Sequence, residues 1–429
     1  MTGQGMTPQI DALLRMYRAA IDAADPQLVV PPNLPDPPQG RTVVVGVGKA
    51  AAAMAQAVEA NWVGDLSGTV VVPTGAALPL KRIRVVESSH PVPDERSVTG
   101  AKALLAAVAG LGSADLVIAL VSGGGSSLCA LPAPWIDLTE KQRITKRLLE
   151  RGASIHEMNA VRKHLSAIKG GRLALAAFPA RVVTLVISDI PGDDPSLVAS
   201  GPTLATTSTS QDALEILRRY DIEPNAKLKE VLESGDSHAV LPCDSRFANN
   251  SIRIIASAWD GLTAAARVAR DEGVECHILG DALEGEARDL AKMHAGMAYS
   301  IAQRGAPFAA PCILLSGGEA TVTLKSVGRG GRNTEFALAL AIALRQTPLD
   351  ARVHAISAGT DGLDGQAGAA GAWIGPDSID RGHALGLSAR DFLDRNDSGT
   401  FFDRIGTLVH TGPTHTNIND FRAILVEPA

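Results

Sequence analysis

A lysine that directly follows a glycine turn is the first feature of this chain that could do chemistry. Three valines at 43–45 lead into Gly46-Val47-Gly48-Lys49, and an alanine-rich stretch follows. This order predicts a strand, a tight turn and a helix start, where backbone N–H groups face an anion. Because Lys49 adds its charge to the positive end of a helix dipole, an anion nearby is favoured. A lysine that only points to solvent explains the same residues.

The turn matches neither of two standard nucleotide-binding motifs completely. Gly46, Gly48 and Ala51 fit the dinucleotide pattern G-x-G-x-x-G/A, but that pattern also expects an acidic residue after the next strand. The chain has Pro73-Thr74 there, and a P-loop would need Ser or Thr in place of Ala50. We therefore predict that the turn binds phosphate or substrate charge outside both motifs.

A run of three glycines follows a second apolar segment, in Ser122-Gly123-Gly124-Gly125-Ser126. Consecutive glycines carry a conformational-entropy cost, which makes sense where backbone amides must approach a ligand closely. With hydroxyls on both sides, residues 122–126 form a candidate phosphate-binding nest. A merely flexible turn is the alternative.

Two acidic residues and two basic residues are further candidates for binding groups. Asp189 and Glu319 each follow an apolar strand segment, and carboxylate oxygens are suitable ligands for Mg²⁺. Lys169 and Arg172 flank a Gly-Gly pair, which could direct both cations toward a substrate. A solvated charged helix face explains these cations equally well.

The second half of the chain carries a glycine loop with an arginine and a later Thr-Asp pair. Arg332 ends the segment Gly-Arg-Gly-Gly-Arg, and its guanidinium can bind a phosphate or carboxylate through two parallel hydrogen bonds. Asn333 or Thr334 is expected to cap the helix that follows. Thr360 and Asp361 come after another apolar strand and are candidate substrate-binding residues.

Short apolar segments alternate with helical patterns along the chain, and the strands and helices that they form must position the candidate residues. It predicts βαβ units with mainly parallel sheets, whose ligands bind beyond the carboxyl ends of the strands. The chain is long enough for two domains, which we place at 1–245 and 246–429. The predicted strands are 42–45, 69–72, 83–86, 116–121, 182–187, 252–256, 313–315 and 353–356.

The composition excludes several classes of function. A net charge of −6 with 3% aromatic residues argues against a nucleic-acid or membrane-surface partner. The four cysteines are far apart in sequence, so neither a disulfide framework nor a zinc site is expected. The first residues predict an amphipathic helix with Leu13 and Tyr17 on its apolar face, and neither a signal peptide nor a membrane span is expected. We expect a cytoplasmic protein, and the sequence is compatible with a homo-oligomer.

The same loops, in the same order, resemble the type-2 glycerate kinase family, some members of which have been named hydroxypyruvate reductases. The resemblance covers residues 41 to 425 and implies two α/β domains, the first of them Rossmann-like, with the active site in the cleft between them. It further implies ATP-dependent phosphorylation of D-glycerate at the 2-hydroxyl, with ATP and Mg²⁺ as the required small molecules. The matching segments include VGVGKAAAAMA, SSHPVPDERSVTGA, SGGGSSL, MNAVRKHLSAIKGGRLA, SDIPGDDPSLVASGPT, GRGGRNTEFALAL and TGPTHTNINDF.

The resemblance also implies roles for single residues. It makes Lys49 and Arg332 the functional lysine and arginine, which come from opposite domains. Three positions depart from the family pattern: Thr334 replaces a glutamine, Gly368 an acidic residue and His415 a glycine. These departures bear on substrate choice more than on the class of reaction.

Two other functions compete with a kinase. One is an NAD(P)H-dependent hydroxypyruvate reductase, which the partial match at Gly46–Ala51 suggests. The missing acidic residue after the next strand argues against it. The other is a non-catalytic sensor that binds sugar acids or nucleotides. Lys49, Asp189 and Arg332 are all present, which favours a catalyst over a sensor.

Overall fold

A computed structural model of the protein describes residues 7–237, 239–346 and 351–428. The chain divides into two compact units, which we call the N-terminal unit (Pro26–Ile255) and the C-terminal unit (residues up to Asp25 together with Ala256 onward). The compact units differ in two places from the predicted division into 1–245 and 246–429. The first helix groups with the C-terminal unit, and the chain passes between units after Ile255.

Helices and strands alternate along most of the described residues. None of the helices in these ranges has the length and apolar character needed to cross a bilayer. The helices are α1 Pro8–Asp22, α2 Pro26–Val29, α3 Ala51–Asn61, α4 Glu95–Ala107, α5 Gly125–Leu128, α6 Leu138–Glu150, α7 Ile155–His164, α8 Arg172–Ala177, α9 Ser210–Arg219, α10 Ala226–Ser234, α11 Ala258–Asp271, α12 Ala287–Arg304, α13 Arg332–Gln346, α14 Ser378–Ala384, α15 Ala389–Asp394 and α16 Ser398–Ile405. The strands are β1 Thr42–Val47, β2 Leu66–Pro73, β3 Ile83–Ser88, β4 Leu116–Val121, β5 Arg181–Ile187, β6 Ser251–Ala256, β7 Glu275–Gly280, β8 Gly285–Glu286, β9 Cys312–Ser316, β10 Ala320–Thr321, β11 Ala351–Gly359, β12 Gly371–Ile374, β13 Leu408–Val409 and β14 Asp420–Pro428.

The N-terminal unit is built on a six-stranded sheet with the order β3-β2-β1-β4-β5-β6. The pairs β1–β2, β2–β3, β1–β4 and β4–β5 are all parallel. Because β1 and β4 are buried along their whole length, their apolar runs fit the centre of a sheet covered on both faces. Strand order reverses between β1 and β4, and this switch point is where open α/β sheets bind ligands.

The C-terminal unit has a mixed sheet with the order β13-β12-β11-β14-β9-β7. Only β7 and β9 are a parallel pair, whereas β11–β12, β11–β14, β12–β13 and β14–β9 are antiparallel. The prediction of mainly parallel sheets is therefore confirmed for the N-terminal unit and wrong here. For β11 and β12 the physical reason is their short connection, residues 360–370, since a parallel pair needs a crossover of a dozen or more residues.

Alternating side chains give this second sheet two apolar faces. Cys312 and Leu314 lie in the core formed with α12 and α13, while Ile313 and Leu315 lie in the core formed with α1 and α11. Helix α1 belongs to this unit because Leu13 and Tyr17, its predicted apolar face, are buried in the second of these cores.

Candidate functional site

The turn after β1 and the glycine loop after β4 meet at the switch point of the N-terminal sheet. The backbone N–H of Lys49 donates to the carbonyl of Gly123 at 2.9 Å. The N–H of Ala50 donates to Ser122 Oγ at 3.0 Å, and Ser122 is fully buried. These two bonds fix the start of α3 against the glycine loop, so the predicted anion-binding turn and the predicted phosphate nest form one structure.

Asp189 lies against the same glycine loop, just beyond the end of β5. A Cβ atom added to Gly123 would lie 1.8 Å from Asp189 Oδ2, which shows how closely the carboxylate approaches the loop backbone. Gly124 has φ +79°, and a Cβ atom there would be 3.0 Å from His90 Nε2 and 3.4 Å from Lys49 Cγ. The loop is therefore surrounded by a lysine, a carboxylate and an imidazole. We call Lys49, His90, Gly123, Gly124 and Asp189 the Lys49 cluster.

The buried ammonium group of Lys169 holds the glycine loop in place through hydrogen bonds. Its Nζ donates to the carbonyls of Ser126 at 3.0 Å and Ala199 at 3.3 Å, and the side chain is 1% exposed. Ala199 and Ser200 have φ +52° and +61°, a conformation that residues other than glycine rarely adopt. Burial, with a smaller contribution from the nearby charge of Arg162, lowers the pKa of Lys169 to about 7.

Arg172 also donates to backbone carbonyls. Its Nη1 bonds the carbonyls of Lys163 and Lys169, both at 2.9 Å, and its Nη2 bonds that of Ser237 at 2.6 Å. Burial lowers its pKa to about 10. Lys169 and Arg172 therefore support the walls of the site in this structure, and a direct contact of either with substrate stays a prediction.

Arg332 is the first residue of α13 and is held by two carboxylates in the C-terminal unit. Its Nε donates to Asp420 Oδ1 at 2.7 Å and its Nη1 to Glu319 Oε1 at 2.5 Å. Burial opposes the charged form, but the charges of Asp420 and Glu319 raise the pKa of Arg332 overall. Asp420 is fully buried and also accepts from Asn333 Nδ2 at 2.9 Å and Arg422 Nη2 at 2.7 Å.

The start of α13 is capped by a residue from a distant loop. Asp364 accepts from the backbone N–H groups of Asn333 and Thr334, both at 2.8 Å. The expectation that Asn333 or Thr334 supplies the cap is therefore wrong, because both lie inside the helix as donors. Burial raises the pKa of Asp364 to about 6, while the two backbone N–H groups act in the opposite direction. We call Glu319, Arg332, Asn333, Asp364 and Asp420 the Arg332 cluster.

Thr360 and Asp361 lie at the end of β11, as predicted. Thr360 is buried, and its Oγ1 donates to the carbonyl of Asn419 at 2.7 Å and accepts from the N–H of Ile418 at 2.9 Å. Asp361 is half-buried and accepts from the N–H of Leu363 at 3.1 Å. Thr360 therefore orders the β11 loop, and its role in substrate binding stays a prediction.

The structure places the predicted metal ligands in different settings. Asp189 belongs to the Lys49 cluster, whereas Glu319 forms an ion pair with Arg332 in the other unit. In the described ranges no group of three or more His, Cys, Asp or Glu residues could hold a metal ion by itself.

Sequence reasoning did not select His90 or Asp420 as site residues. His90 follows β3 by two residues, so the rule that selected Asp189, a polar residue beyond a strand end, also applied to it. Asp364 and Asp420 act through partners that are remote in sequence, for which a single sequence carries no signal.

Comparisons with known proteins fit this arrangement. The family described as a domain of unknown function, DUF4147, matches residues 12–233, and the MOFRL family matches residues 312–420. A protein of Agrobacterium vitis with the provisional name hydroxypyruvate reductase is 52% identical over 417 residues, covering 96% of this chain and 94% of its own. The D-glycerate 2-kinase of Thermotoga maritima is 38% identical over 410 residues, covering 95% and 96% of the two chains.

A solved structure shares the fold over nearly the whole length. The crystal structure of a glycerate kinase from Thermotoga maritima matches with a TM-score of 0.86 and 36% identity, covering 97% of this chain and 99% of that one. The described fold agrees with these relatives, and the chain belongs to the glycerate kinase family.

Proposed function

We propose that the protein transfers the γ-phosphoryl group of ATP to the 2-hydroxyl of D-glycerate, giving 2-phospho-D-glycerate and ADP. The observation that carries this proposal is the Lys49 cluster at the switch point of the N-terminal sheet. It combines a glycine loop, a cation and a carboxylate in one place. Phosphoryl transfer needs this combination, because it depends on positioning and on neutralising charge.

Gly123, Gly124, Gly125 and Ser126 are proposed to bind the phosphates of ATP. Side chains at these positions would fill the space beside the loop, since a Cβ atom at Gly125 would lie 2.6 Å from Ala199 Cβ. Glycine at this position therefore allows the loop backbone to pack closely on Ala199, and nests of backbone N–H groups bind phosphate. Ser126 Oγ lies 2.7 Å from Ser200 Oγ, and this contact orients its hydroxyl at the edge of the loop.

Asp189 fits a magnesium ion that is bound mainly through nucleotide phosphates. Such an ion needs only one or two protein carboxylates, which agrees with the described residues. When bound, Mg²⁺ would neutralise phosphate charge. Glu319 is the second proposed ligand, although its carboxylate is paired with Arg332 in this structure.

Lys49 and Arg332 are proposed to neutralise the transferring phosphoryl group and the carboxylate of glycerate. Glu319 and Asp420 hold the guanidinium of Arg332 in one orientation, which reduces the cost of ordering it on binding. Asp189 or Asp361 would orient the 2-hydroxyl. A strong base is not required because the transition state is loose.

Charge reversal of Lys49 tests the proposal, with His415 as the matched control. Lys49→Glu should lower kcat/KM for D-glycerate by about 10³-fold, since it replaces a stabilising charge with an opposing one. His415 has φ +59°, so His415→Gly suits the backbone and should leave kcat/KM close to wild type. ADP formation measured with D-glycerate and Mg²⁺-ATP gives both values. Equal losses in the two variants would contradict the assignment.

A reductase remains a second candidate because a relative at 52% identity carries that provisional name. In the structure β2 ends at Pro73 and Thr74 follows, so the acidic residue that the dinucleotide pattern expects at the end of this strand is not present. Oxidation of NADH or NADPH by hydroxypyruvate, in a cuvette without ATP, would favour the reductase over the kinase.

A further inference from the structure

Helix α7 carries a buried amide oxygen that accepts no hydrogen bond from the described residues. Asn159 is 1% exposed, and its Nδ2 donates to the carbonyl of Ile155 at 3.0 Å. This bond fixes the orientation of the amide, and Oδ1 is left without a donor among the described residues. A buried acceptor without a donor is costly, so its retention points to a donor supplied from outside the chain.

Arg162 lies one helical turn after Asn159, on the same side of α7. It is half-buried, and among the described residues it forms no hydrogen bond and no ion pair. Burial alone lowers the pKa of Arg162 to about 10, with no carboxylate to offset it. A half-buried guanidinium without a partner among the described residues is suited to bind an oxyanion through two parallel hydrogen bonds.

The surroundings of Arg162 are positively charged, and the neighbouring cations are already engaged. Lys141 Nζ donates to the carbonyl of Leu165 at 2.7 Å, and Lys163 Nζ lies 3.5 Å from Ser196 Oγ. Lys169 and Arg172 bond backbone carbonyls, as described above. The charge of Arg162 contributes to lowering the pKa of both Lys141 and Lys169, so the group is close to them. An anion at Arg162 would relieve this repulsion.

This part of α7 is connected to the Lys49 cluster within the N-terminal unit. Helix α7 packs on the 3-10 helix Val198–Ser200, which in turn packs on α5 at the end of the glycine loop. Lys169 bonds one carbonyl in each of these two segments. Helix α7 is therefore linked to the proposed phosphate site through this 3-10 helix and Lys169.

We propose that Arg162 binds the carboxylate of the hydroxy-acid substrate and that Asn159 Oδ1 accepts a hydrogen bond from its 3-hydroxyl. This inference rests on the proposed function and makes it more specific, because it leaves the 2-hydroxyl as the group directed to the phosphoryl donor. It changes that proposal in one respect: the carboxylate of glycerate is bound by Arg162, and Lys49 and Arg332 neutralise the phosphoryl group only.

Steady-state kinetics of three of four variants test the Arg162 contact. Arg162→Gln should raise KM for D-glycerate by about 30-fold or more, the loss expected for a charge-assisted bidentate pair, with KM for ATP close to wild type. Arg162→Lys should recover part of the affinity. His156→Gln, on the exposed side of α7, should match wild type. An unchanged KM for glycerate, or an increase that falls on ATP alone, would overturn the proposal.

The fourth variant, Asn159→Leu, separates a binding role from a structural one. It removes the unsatisfied oxygen, so the thermal midpoint Tm should rise while the preference for D-glycerate over D-lactate is lost. D-lactate lacks the 3-hydroxyl and serves as the probe of this contact. A variant that keeps the preference would contradict the role of Asn159.

Calorimetric titration of D-glycerate without ATP keeps this inference distinct from the proposed function. Binding by wild type and its loss in Arg162→Gln supports the inference even if no phosphoryl transfer occurs. Equal binding by both proteins overturns the inference and leaves the kinase assignment intact. No binding by wild type overturns the inference as well.

Discussion

Single residues in the Lys49 cluster are held by contacts that tolerate little change. Gly123 is the clearest case, because its Cα hydrogen faces the carboxylate of Asp189. Its φ lies outside the left-handed region, so a substitution there tests the space available to a side chain and adds no backbone strain.

Gly123→Ala should therefore displace Asp189 and leave the fold in place. We expect kcat/KM to fall by about 100-fold, the usual cost of a displacement of about 1 Å in an active site. Gly296→Ala in α12 is the control: a Cβ atom there meets nothing within 4 Å, and stability should rise by up to about 1 kcal/mol. Kinetics and thermal unfolding of both variants supply the comparison. Wild-type activity in Gly123→Ala would show that Asp189 is not constrained by the loop.

The buried ammonium of Lys169 predicts a pH dependence of stability. Its pKa is about 7 in the folded protein and 10.5 ordinarily, so the unfolded chain binds more protons between these values. Stability must then rise with pH over this range, by up to about 1.4 kcal/mol per pH unit from this group. Below pH 7 the group contributes no slope.

Thermal midpoints of wild type and Lys169→Met, measured from pH 6.5 to 9.5, isolate this contribution. Lys169→Met should lack the part of the rise that belongs to Lys169. Lys102→Met, at an exposed position of α4, should keep the wild-type slope. If the thermal midpoints of Lys169→Met and wild type changed in parallel with pH, Lys169 would not be the titrating group.

At the scale of elements, the start of α13 depends on a cap from the loop after β11. Asp364→Ala would leave the N–H groups of Asn333 and Thr334 without their acceptor in a buried place. Loss of an N-cap costs about 1–2 kcal/mol, and this buried cap should lie at the upper end. Asp137→Ala removes the exposed cap of α6 and should cost less. Urea unfolding of the two variants gives both values, and an equal or smaller loss in Asp364→Ala would contradict the capping role.

The strands of the N-terminal sheet were predictable, whereas several strands of the C-terminal unit and the contacts between elements were not. The eight predicted strands are all present, and each is a short, mostly apolar run, but β7, β8, β10, β12, β13 and β14 were not predicted. Lys49, Ser122 and Asp189 were selected because ligand groups gather beyond strand ends, and their roles in binding stay predictions. The support role of Lys169 and the cap by Asp364 depend on contacts with Ala199 and Asn333, which are distant in sequence. Local patterns carry no information on such pairs.

At the scale of the whole molecule, the assignment of α1 to the C-terminal unit has a measurable consequence. Leu13 is fully buried with residues of α11 and β14, so Leu13→Ala should cost about 2–4 kcal/mol. Hydrogen exchange should increase in residues 256–428 and stay unchanged in β1 and β4. Leu28→Ala, at a residue that is 60% exposed, is the control and should have little effect. Faster exchange in β1 and β4 instead would show that α1 stabilises the other unit.

The reaction itself is the most direct test of the proposed function. Purified protein is incubated with ATP, Mg²⁺ and D-glycerate, and the products are followed by ³¹P NMR. A parallel sample contains hydroxypyruvate with NADH or NADPH. We expect the signal of 2-phosphoglycerate and no oxidation of either reduced cofactor. A 3-phosphoglycerate signal would keep the kinase and contradict the 2-hydroxyl as the acceptor, whereas cofactor oxidation without a phosphorylated product would contradict the kinase itself.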